Sequence, residues 1–145
     1  MHGSRRTAAS SDPIQVFIVD DSPVERAIVK RHAEASGHRI CGEAGDLPAA
    51  LSLLLATSAD VVVIDGRITP QIAEAIAALR KQGSANGNEE QTLLRIIVIA
   101  SLEERELARR AIAAGAAGAL LRPVLLGDFT DALARLARTP PAGRE

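Results

Sequence analysis

Short runs of valine and isoleucine alternate along the chain with longer segments in which apolar residues recur every three or four positions. Near-continuous apolar runs are typical of strands buried on both faces of a parallel sheet, and the longer spacing is typical of amphipathic helices. The pattern predicts strands at Ile14–Val19, Arg39–Glu43, Val61–Ile64, Arg95–Ala100 and Ala119–Leu121. Five helical segments follow these strands, so we expect one parallel sheet with helices on both faces.

Local signals mark where several helices begin and end. Ser22–Glu25 combines a capping serine, a proline at the first helical position and a glutamate that closes a capping box. Asp46 is predicted to cap the second helix. The apolar face of that helix is expected to comprise Leu47, Leu51, Leu54 and Leu55. The third helix is expected to end at Lys81, before a polar loop at Gln82–Thr92.

The length of 145 residues fits one domain. Residues 1–13 are polar and predict a disordered N-terminal tail, and 139–145 predict a C-terminal tail, so 14–138 would form the folded domain. No apolar run approaches the roughly 20 residues of a membrane span. The net charge of −1 gives no basic field for nucleic acid. We therefore expect neither a membrane nor a nucleic acid as a partner. Cys41 is the only cysteine and has no disulfide partner, which favours a reducing, cytoplasmic location.

Three aspartates follow predicted strands: Asp20 and Asp21 after the first, and Asp65 after the third. In a flavodoxin-like sheet of order 2-1-3-4-5, the strand order reverses between strands 1 and 3, and ligands bind at the carboxyl ends there. The three acids are thus predicted to share one pocket. Two carboxylates 4 Å apart near a protein surface repel by roughly 4 kcal/mol, so the pocket calls for a cation or a proton.

Four motifs at successive strand ends make the chain similar to a known family. They span residues 17–24 (FIVDDSPV), 60–65 (DVVVID), 96–101 (IIVIAS) and 111–124 (AIAAGAAGALLRPV). From Ile14 to Leu136 the chain resembles the receiver domain of two-component response regulators. The resemblance implies a five-stranded parallel sheet of order 2-1-3-4-5, doubly wound by five helices.

The same resemblance implies a function for the acidic pocket. Asp65 would accept a phosphoryl group from a phosphohistidine of a sensor histidine kinase or a phosphotransfer protein. Ser101 would donate a hydrogen bond to the phosphoryl group, and Arg122 stands where the family usually has lysine. A Mg²⁺ ion, which prefers oxygen ligands, would be held by Asp20, Asp21, Asp65 and the backbone carbonyl of Arg67.

The resemblance also implies a single-domain response regulator with no catalysis beyond its own phosphorylation and dephosphorylation. Its signal would pass to a downstream protein through the face formed by the fourth helix, the fifth strand and the fifth helix. The apolar segment Val124–Leu126 is a candidate contact for a homodimer, although packing between loop and helix explains it equally well.

Four departures from the family pattern leave a second interpretation open. Arg122 could neutralise the pocket, or pair bidentately with Asp65 and cover it. Leu102 replaces a small residue and could narrow the site, and Ala119 replaces an aromatic ring that changes rotamer on activation. Pro70 lies one position later than usual and could reshape the loop beside the metal. The alternative is therefore a pseudo-receiver that acts as a protein interaction module without phosphate.

Other functional classes lack the residues that they need. A phosphatase of the haloacid-dehalogenase type requires an acid two positions after its nucleophile, where Asp65 is followed by Arg67 and Asp20 by Ser22. A dinucleotide enzyme requires a glycine-rich turn after the first strand, and Asp-Asp-Ser-Pro stands there. A DNA-binding regulator requires an added helix-turn-helix, and we expect none within these 145 residues once the predicted sheet and its helices are placed.

Overall fold

The computed structural model describes residues 12–84 and 94–138, in which five parallel strands form one sheet of order β2-β1-β3-β4-β5. The strands are β1 Gln15–Val19, β2 Arg39–Ala44, β3 Val61–Asp65, β4 Arg95–Ala100 and β5 Gly118–Leu121. The helices are α1 Pro23–Ala35, α2 Leu47–Leu54, α3 Ile72–Ser84, α4 Arg105–Ala113 and α5 Leu126–Arg138, with a 3₁₀ turn at Leu102–Glu104 before α4. The predicted fold class and strand order are confirmed.

Helices cover both faces of the sheet, and each face has its own apolar core. On one face, Val29 of α1 and Phe129 and Leu133 of α5 pack against the sheet. On the other, α2, α3 and α4 contribute buried side chains such as Leu54 and Ile76. Strands β1, β3 and β4 are almost wholly buried, as their valine and isoleucine runs predicted.

The central pair of strands, β1 and β3, positions the acidic residues. Their parallel register places Val19 beside Ile64, so the residues that follow, Asp20 and Asp65, lie at the same edge of the sheet. The chain leaves β1 towards one face and β3 towards the other, which opens a crevice between the two loops. The predicted meeting of acids from these two strands therefore has its basis in the strand order.

Two helix boundaries differ from the prediction. Helix α2 ends at Leu54, so Leu55 lies beyond it and is 52% exposed instead of belonging to the apolar face. Helix α3 continues to Ser84, past the predicted end at Lys81. The side chain of Gln82 donates a hydrogen bond of 2.7 Å to the backbone carbonyl of Leu51, which anchors the added turn to α2.

Some predicted segments fall outside the described residues. These are the two tails, apart from Asp12 and Pro13, and the part of the Gln82–Thr92 loop that follows Ser84. Along the described ranges, no helix is both long enough and apolar enough to cross a membrane.

Candidate functional site

Asp20 is the first residue after β1, and its side chain is completely buried. One carboxylate oxygen, Oδ1, accepts a hydrogen bond of 2.9 Å from the backbone N–H of Ser22. The other, Oδ2, is buried without a hydrogen-bond partner in the described part of the chain. A buried polar atom with no partner is costly, so this oxygen marks a place for a proton or a cation.

Asp65 is the last residue of β3, and its side chain is only 2% exposed. Its Oδ1 accepts hydrogen bonds from the backbone N–H of Arg67, at 3.1 Å, and from the guanidinium of Arg122, at 2.5 Å. The Nε of Arg67 lies 3.7 Å from the same oxygen. No donor within the described ranges reaches Oδ2 of Asp65, so that oxygen is available for chemistry.

Glu25, in the first turn of α1, supplies the third carboxylate of the site. Oxygen atoms of Asp20, Glu25 and Asp65 lie within 4.8 Å of one another. The predicted capping box is half correct, because the Ser22 hydroxyl accepts the N–H of Glu25 at 3.1 Å. The Glu25 carboxylate instead turns towards Arg122, since the N–H of Ser22 is already bound by Asp20.

Asp21 occupies a different position from its two predicted partners. Its side chain is exposed, and it does not belong to the carboxylate cluster. The strand ends brought Asp20 and Asp65 together as expected, but the third acid is Glu25. The proposed roles of Asp21 and of the Arg67 carbonyl as Mg²⁺ ligands stay predictions. Sequence reasoning recognised Glu25 only as a helix cap, although its acidic side chain in the first turn of α1 could have placed it beside Asp20.

Arg122, directly after β5, connects three carboxylates. It forms a bidentate pair with Glu25, in which Nε donates to Oε2 at 3.0 Å and an Nη donates to Oε1 at 3.2 Å. The same Nη donates to Asp65, and the other reaches Glu104 at 3.4 Å. Of the two alternatives for Arg122, the geometry combines parts of each: the guanidinium brings positive charge into the pocket, and its bidentate pair is with Glu25, while Asp65 receives a single hydrogen bond.

Ser101, at the carboxyl end of β4, begins the 3₁₀ turn that leads to α4. Its backbone N–H donates to the Glu104 carboxylate at 2.8 Å, and the two residues form a capping box. This is the capping role expected of a serine at a strand end. Its predicted bond to a phosphoryl group is a separate role and stays a prediction.

The other departures from the family pattern lie around this pocket. The side chain of Leu102 is 57% exposed and starts the 3₁₀ turn, so in this conformation it points to solvent. Ala119 is exposed on the edge strand β5. Pro70 is also exposed and lies two residues before α3 begins at Ile72, in a loop where the Thr69 hydroxyl accepts the N–H of Gln71.

The charges of the pocket shift the proton equilibria of its members. Burial raises the pKa of Asp20 from 3.8 to about 8, and the facing carboxylates of Glu25 and Asp65 add to the rise. Burial also opposes ionisation of Glu25, but the neighbouring Asp20 side chain and the hydrogen bonds from Arg122 outweigh it and lower the pKa of Glu25. The carboxylates around Arg122 raise the pKa of its guanidinium against the effect of burial.

The donor set fits a small divalent cation. Mg²⁺ takes oxygen ligands, and the cluster of Asp20, Glu25 and Asp65 offers carboxylate oxygens, one of them buried and without a partner. A cation there would offset the repulsion among the acids. The guanidinium of Arg122 already offsets part of this repulsion. The residues therefore suit Mg²⁺, with Arg122 as an internal cation in contact with two of these ligands, Glu25 and Asp65.

An apolar surface lies at the opposite edge of the sheet from β2. The exposed large hydrophobic residues of α4, β5 and the start of α5 are Ile112, Leu121, Leu125 and Leu126, each between 44% and 59% exposed. Leu125 and Leu126 belong to the segment that was a candidate for a homodimer contact. The third member of that segment, Val124, is buried.

A family model described as the response regulator receiver domain matches residues 16–134. The transcriptional regulatory protein PdtaR of Mycobacterium tuberculosis is 27% identical over 135 residues, which cover 92% of this chain and 61% of that protein. The sensor histidine kinase AruS of Pseudomonas aeruginosa is 28% identical over 144 residues, which cover 98% of this chain and 14% of that kinase. The chain thus spans less than two thirds of the length of either relative.

The fold is also similar to solved structures. The signal receiver domain of NarL from Mycobacterium tuberculosis has a TM-score of 0.71 and 29% sequence identity with this chain. The match covers 89% of this chain and 99% of the NarL domain. The residues that the family model matches include most of β1 and all of β3, the two strands that end in the acidic pocket.

Proposed function

Because this chain belongs to the family of response regulator receiver domains of two-component signalling, we propose that Asp65 is its phosphoacceptor. A carboxylate oxygen of Asp65 attacks the phosphorus of a phosphohistidine on a sensor histidine kinase or phosphotransfer protein. The P–N bond breaks as the new P–O bond forms, and the leaving imidazole takes up a proton from solvent. The resemblance of the chain to part of a sensor kinase supports a partner of this kind.

The proposal rests mainly on the different hydrogen bonding of the two Asp65 oxygens. Oδ1 is held by the N–H groups of Arg67 and Arg122, while Oδ2 has no donor within the described residues. The side chain is thus oriented, and one oxygen keeps its lone pairs for attack. Two basic side chains lie beside it to balance the charge of an incoming phosphoryl group.

Mg²⁺ bound at the carboxylate cluster would neutralise charge on the phosphoryl group during its transfer. Asp20, which lies beside Asp65, would hold the ion together with Asp65 itself. Arg122 and the hydroxyl of Ser101 would then stabilise the product, since these residues follow β5 and β4, the strands next along the sheet from β3. We assign no catalysis to the protein beyond this phosphorylation and its reversal.

In this proposal, the phosphorylated protein passes its signal on by contact with another protein. The exposed apolar residues of α4, β5 and α5 form a surface that a partner protein could cover, and a second copy of the chain is another occupant. A phosphoryl group would add negative charge beside Arg122 and shift the equilibrium between two arrangements of that surface. A cytoplasmic location belongs to the same proposal and rests on the family.

Phosphorylation can be tested on the purified protein. The protein is incubated with Mg²⁺ and a small acyl phosphate, and its intact mass is followed over time. We expect the added mass of one phosphoryl group on the natural protein and none on Asp65→Asn. Asp46→Asn makes the same change of carboxylate to amide at a helix cap remote from the pocket, and it should behave like the natural protein.

A second candidate function rests on the contacts of Arg122. The guanidinium of Arg122 donates a hydrogen bond to Asp65, whose side chain is only 2% exposed. An interaction module that works without phosphate would keep this contact. No adduct and no change in amide spectra with beryllofluoride at millimolar Mg²⁺ would favour the module and overturn the phosphoacceptor role. In that case, replacing Arg122 alone should change the amide spectrum of α4, β5 and α5.

A further inference from the structure

The third carboxylate of the cluster belongs to Glu25, a residue to which the resemblance assigns no part in metal binding. The resemblance places Asp21 in the metal site, yet Asp21 is exposed and lies outside the cluster. Glu25 occupies the third place instead, within 4.8 Å of Asp20 and Asp65. A buried oxygen of Asp20, Oδ2, has no partner along the described ranges and points independently to a cation in this cluster.

The Glu25 carboxylate already has a cation of its own. Both of its oxygens accept N–H groups from Arg122, and its side chain is 14% exposed, so it is shielded from water. A bidentate pair between guanidinium and carboxylate is among the stronger hydrogen-bonded contacts in proteins. A metal ion that used Glu25 would therefore have to replace this contact.

We propose that Glu25 completes the divalent cation site with Asp20 and Asp65, and that Arg122 holds Glu25 when no divalent cation is bound. The inference rests on the cation site of the proposed function, but not on phosphoryl transfer to Asp65. Arg122 and the metal are alternative partners of one carboxylate. The guanidinium and a divalent ion a few ångströms apart repel each other, so binding of one weakens binding of the other.

The competition between Arg122 and the metal for Glu25 affects the affinity of the site for Mg²⁺. Only the fraction of molecules in which Arg122 has released Glu25 presents all three carboxylates, so the apparent dissociation constant for Mg²⁺ is raised by the reciprocal of that fraction. The arginine thereby sets the Mg²⁺ concentration at which the site fills. Its other two contacts, to Asp65 and Glu104, keep it beside the pocket after release.

The test is a calorimetric titration of Mg²⁺ into the unphosphorylated protein, with no phosphodonor present. Glu25→Gln should weaken binding about tenfold and Arg122→Gln should tighten it about tenfold, which is the usual range for coupled sites. Asp21→Asn should change the affinity by no more than about twofold. Glu103→Gln and Arg105→Gln remove the same charges from exposed positions of the neighbouring turn and serve as controls.

A second measurement uses the natural protein and does not depend on whether a variant folds. The Nε–H resonance of Arg122 is followed in a nitrogen-labelled sample as Mg²⁺ is added. We expect this resonance to shift and to exchange faster with water at saturation, because its bond to Glu25 is lost. A resonance that does not move at saturating Mg²⁺ would overturn the exchange.

The remaining outcomes separate the two proposals. If Asp21→Asn weakens Mg²⁺ binding more than Glu25→Gln does, Asp21 is the third ligand and the assignment of Glu25 is wrong. If no Mg²⁺ binds to the natural protein, the cation site itself is overturned. If Mg²⁺ binds as described but Asp65 gains no adduct, only the phosphoacceptor role fails.

Discussion

Arg122 donates two N–H groups to the carboxylate of Glu25, although 97 residues separate them in the chain. The contact joins the loop after β5, at one edge of the sheet, to the first turn of α1 beside the central strands. Asp65 lies under the same guanidinium. A change at Asp65 can therefore act on both the start of α1 and the loop before α5 through one side chain.

Replacing Arg122 with lysine should make Asp65 easier to phosphorylate. An ammonium group is a point charge without the planar fork, so it cannot keep the bidentate contact with Glu25 and also cover Asp65. We expect the uptake of a phosphoryl group from an acyl phosphate, or the lifetime of the phosphoprotein, to rise about fivefold, the lower end of coupling between linked sites. Intact mass over time measures both quantities.

The control for this change is Arg105→Lys, at an exposed position on α4. It makes the same substitution without altering the pocket, so its uptake should match that of the natural protein. Equal uptake and equal lifetime in Arg122→Lys and the natural protein would show that the arginine does not limit access to Asp65.

The meeting of Asp20 and Asp65 could be predicted because it depends on two robust features. Continuous apolar runs identify buried strands, and the reversal of strand order places the ends of β1 and β3 side by side. Neither feature depends on which way a side chain turns. The predicted strand ends differ from the observed ones by one residue at most, which was enough to locate the pocket.

The third carboxylate could not be predicted in the same way. Asp21 and Glu25 are both close to the end of β1, and the choice between them depends on how α1 leaves the strand. Asp20 takes the N–H of Ser22, which frees Glu25 from its expected capping bond and lets it turn to Arg122. Such competition among hydrogen bonds is decided in three dimensions, by contacts between residues far apart in the chain.

Gly66 directly follows Asp65, and a glycine should be required there for close packing. A methyl group added there would lie 2.5 Å from the Leu107 side chain and 3.0 Å from the backbone oxygen of Ile99. That oxygen belongs to a buried strand, so it cannot move aside easily. Gly66→Ala should lower the free energy of unfolding by about 1–3 kcal/mol, as overpacked positions do.

Urea unfolding followed by circular dichroism measures this difference. Gly127→Ala is the matched control, because no atom lies within 4 Å of the added methyl group in α5. In a helix, alanine is favoured over glycine by about 0.5–1 kcal/mol, so that variant should be no less stable than the natural protein. Equal stability of Gly66→Ala and Gly127→Ala would contradict the packing described for Gly66.

Glu104 should stabilise the turn between β4 and α4 in a pH-dependent manner. The N–H of Ser101 bonds to its carboxylate, and this bond lowers the pKa of Glu104 below its ordinary value of 4.5. A lowered carboxyl pKa contributes stability above the unfolded value and loses it as the pH falls through the folded value. Glu104→Ala should therefore cost about 1 kcal/mol at neutral pH, and less under acidic conditions.

The neighbouring residue provides the comparison for Glu104. Glu103 is exposed and on the same turn, so Glu103→Ala should leave the stability unchanged within about 0.5 kcal/mol. Chemical denaturation of the natural protein and of both variants, at neutral pH and near pH 3, gives the six values needed. A penalty for Glu104→Ala that is equally large at both pH values would mean that its ionised form is not what stabilises the turn.

Asp20 should make the metal-free protein less stable as the pH rises. Burial and the carboxylates of Glu25 and Asp65 raise the pKa of Asp20 from 3.8 to about 8, so between these values the folded protein binds a proton that the unfolded chain has released. The free energy of unfolding then falls with rising pH across this window. Each pKa unit of difference between the two states corresponds to about 1.4 kcal/mol.

Urea unfolding in the presence of a chelator, at intervals between pH 5 and pH 9, measures this slope. Asp20→Asn cannot ionise, so its stability should vary less with pH and should exceed that of the natural protein near pH 8. Asp46→Asn keeps a helix-capping side chain away from the pocket and should retain the natural slope. Saturating Mg²⁺ should remove or reverse the slope, because ligand carboxylates must be deprotonated to bind a metal. An unchanged slope in Asp20→Asn would show that another group takes up the proton.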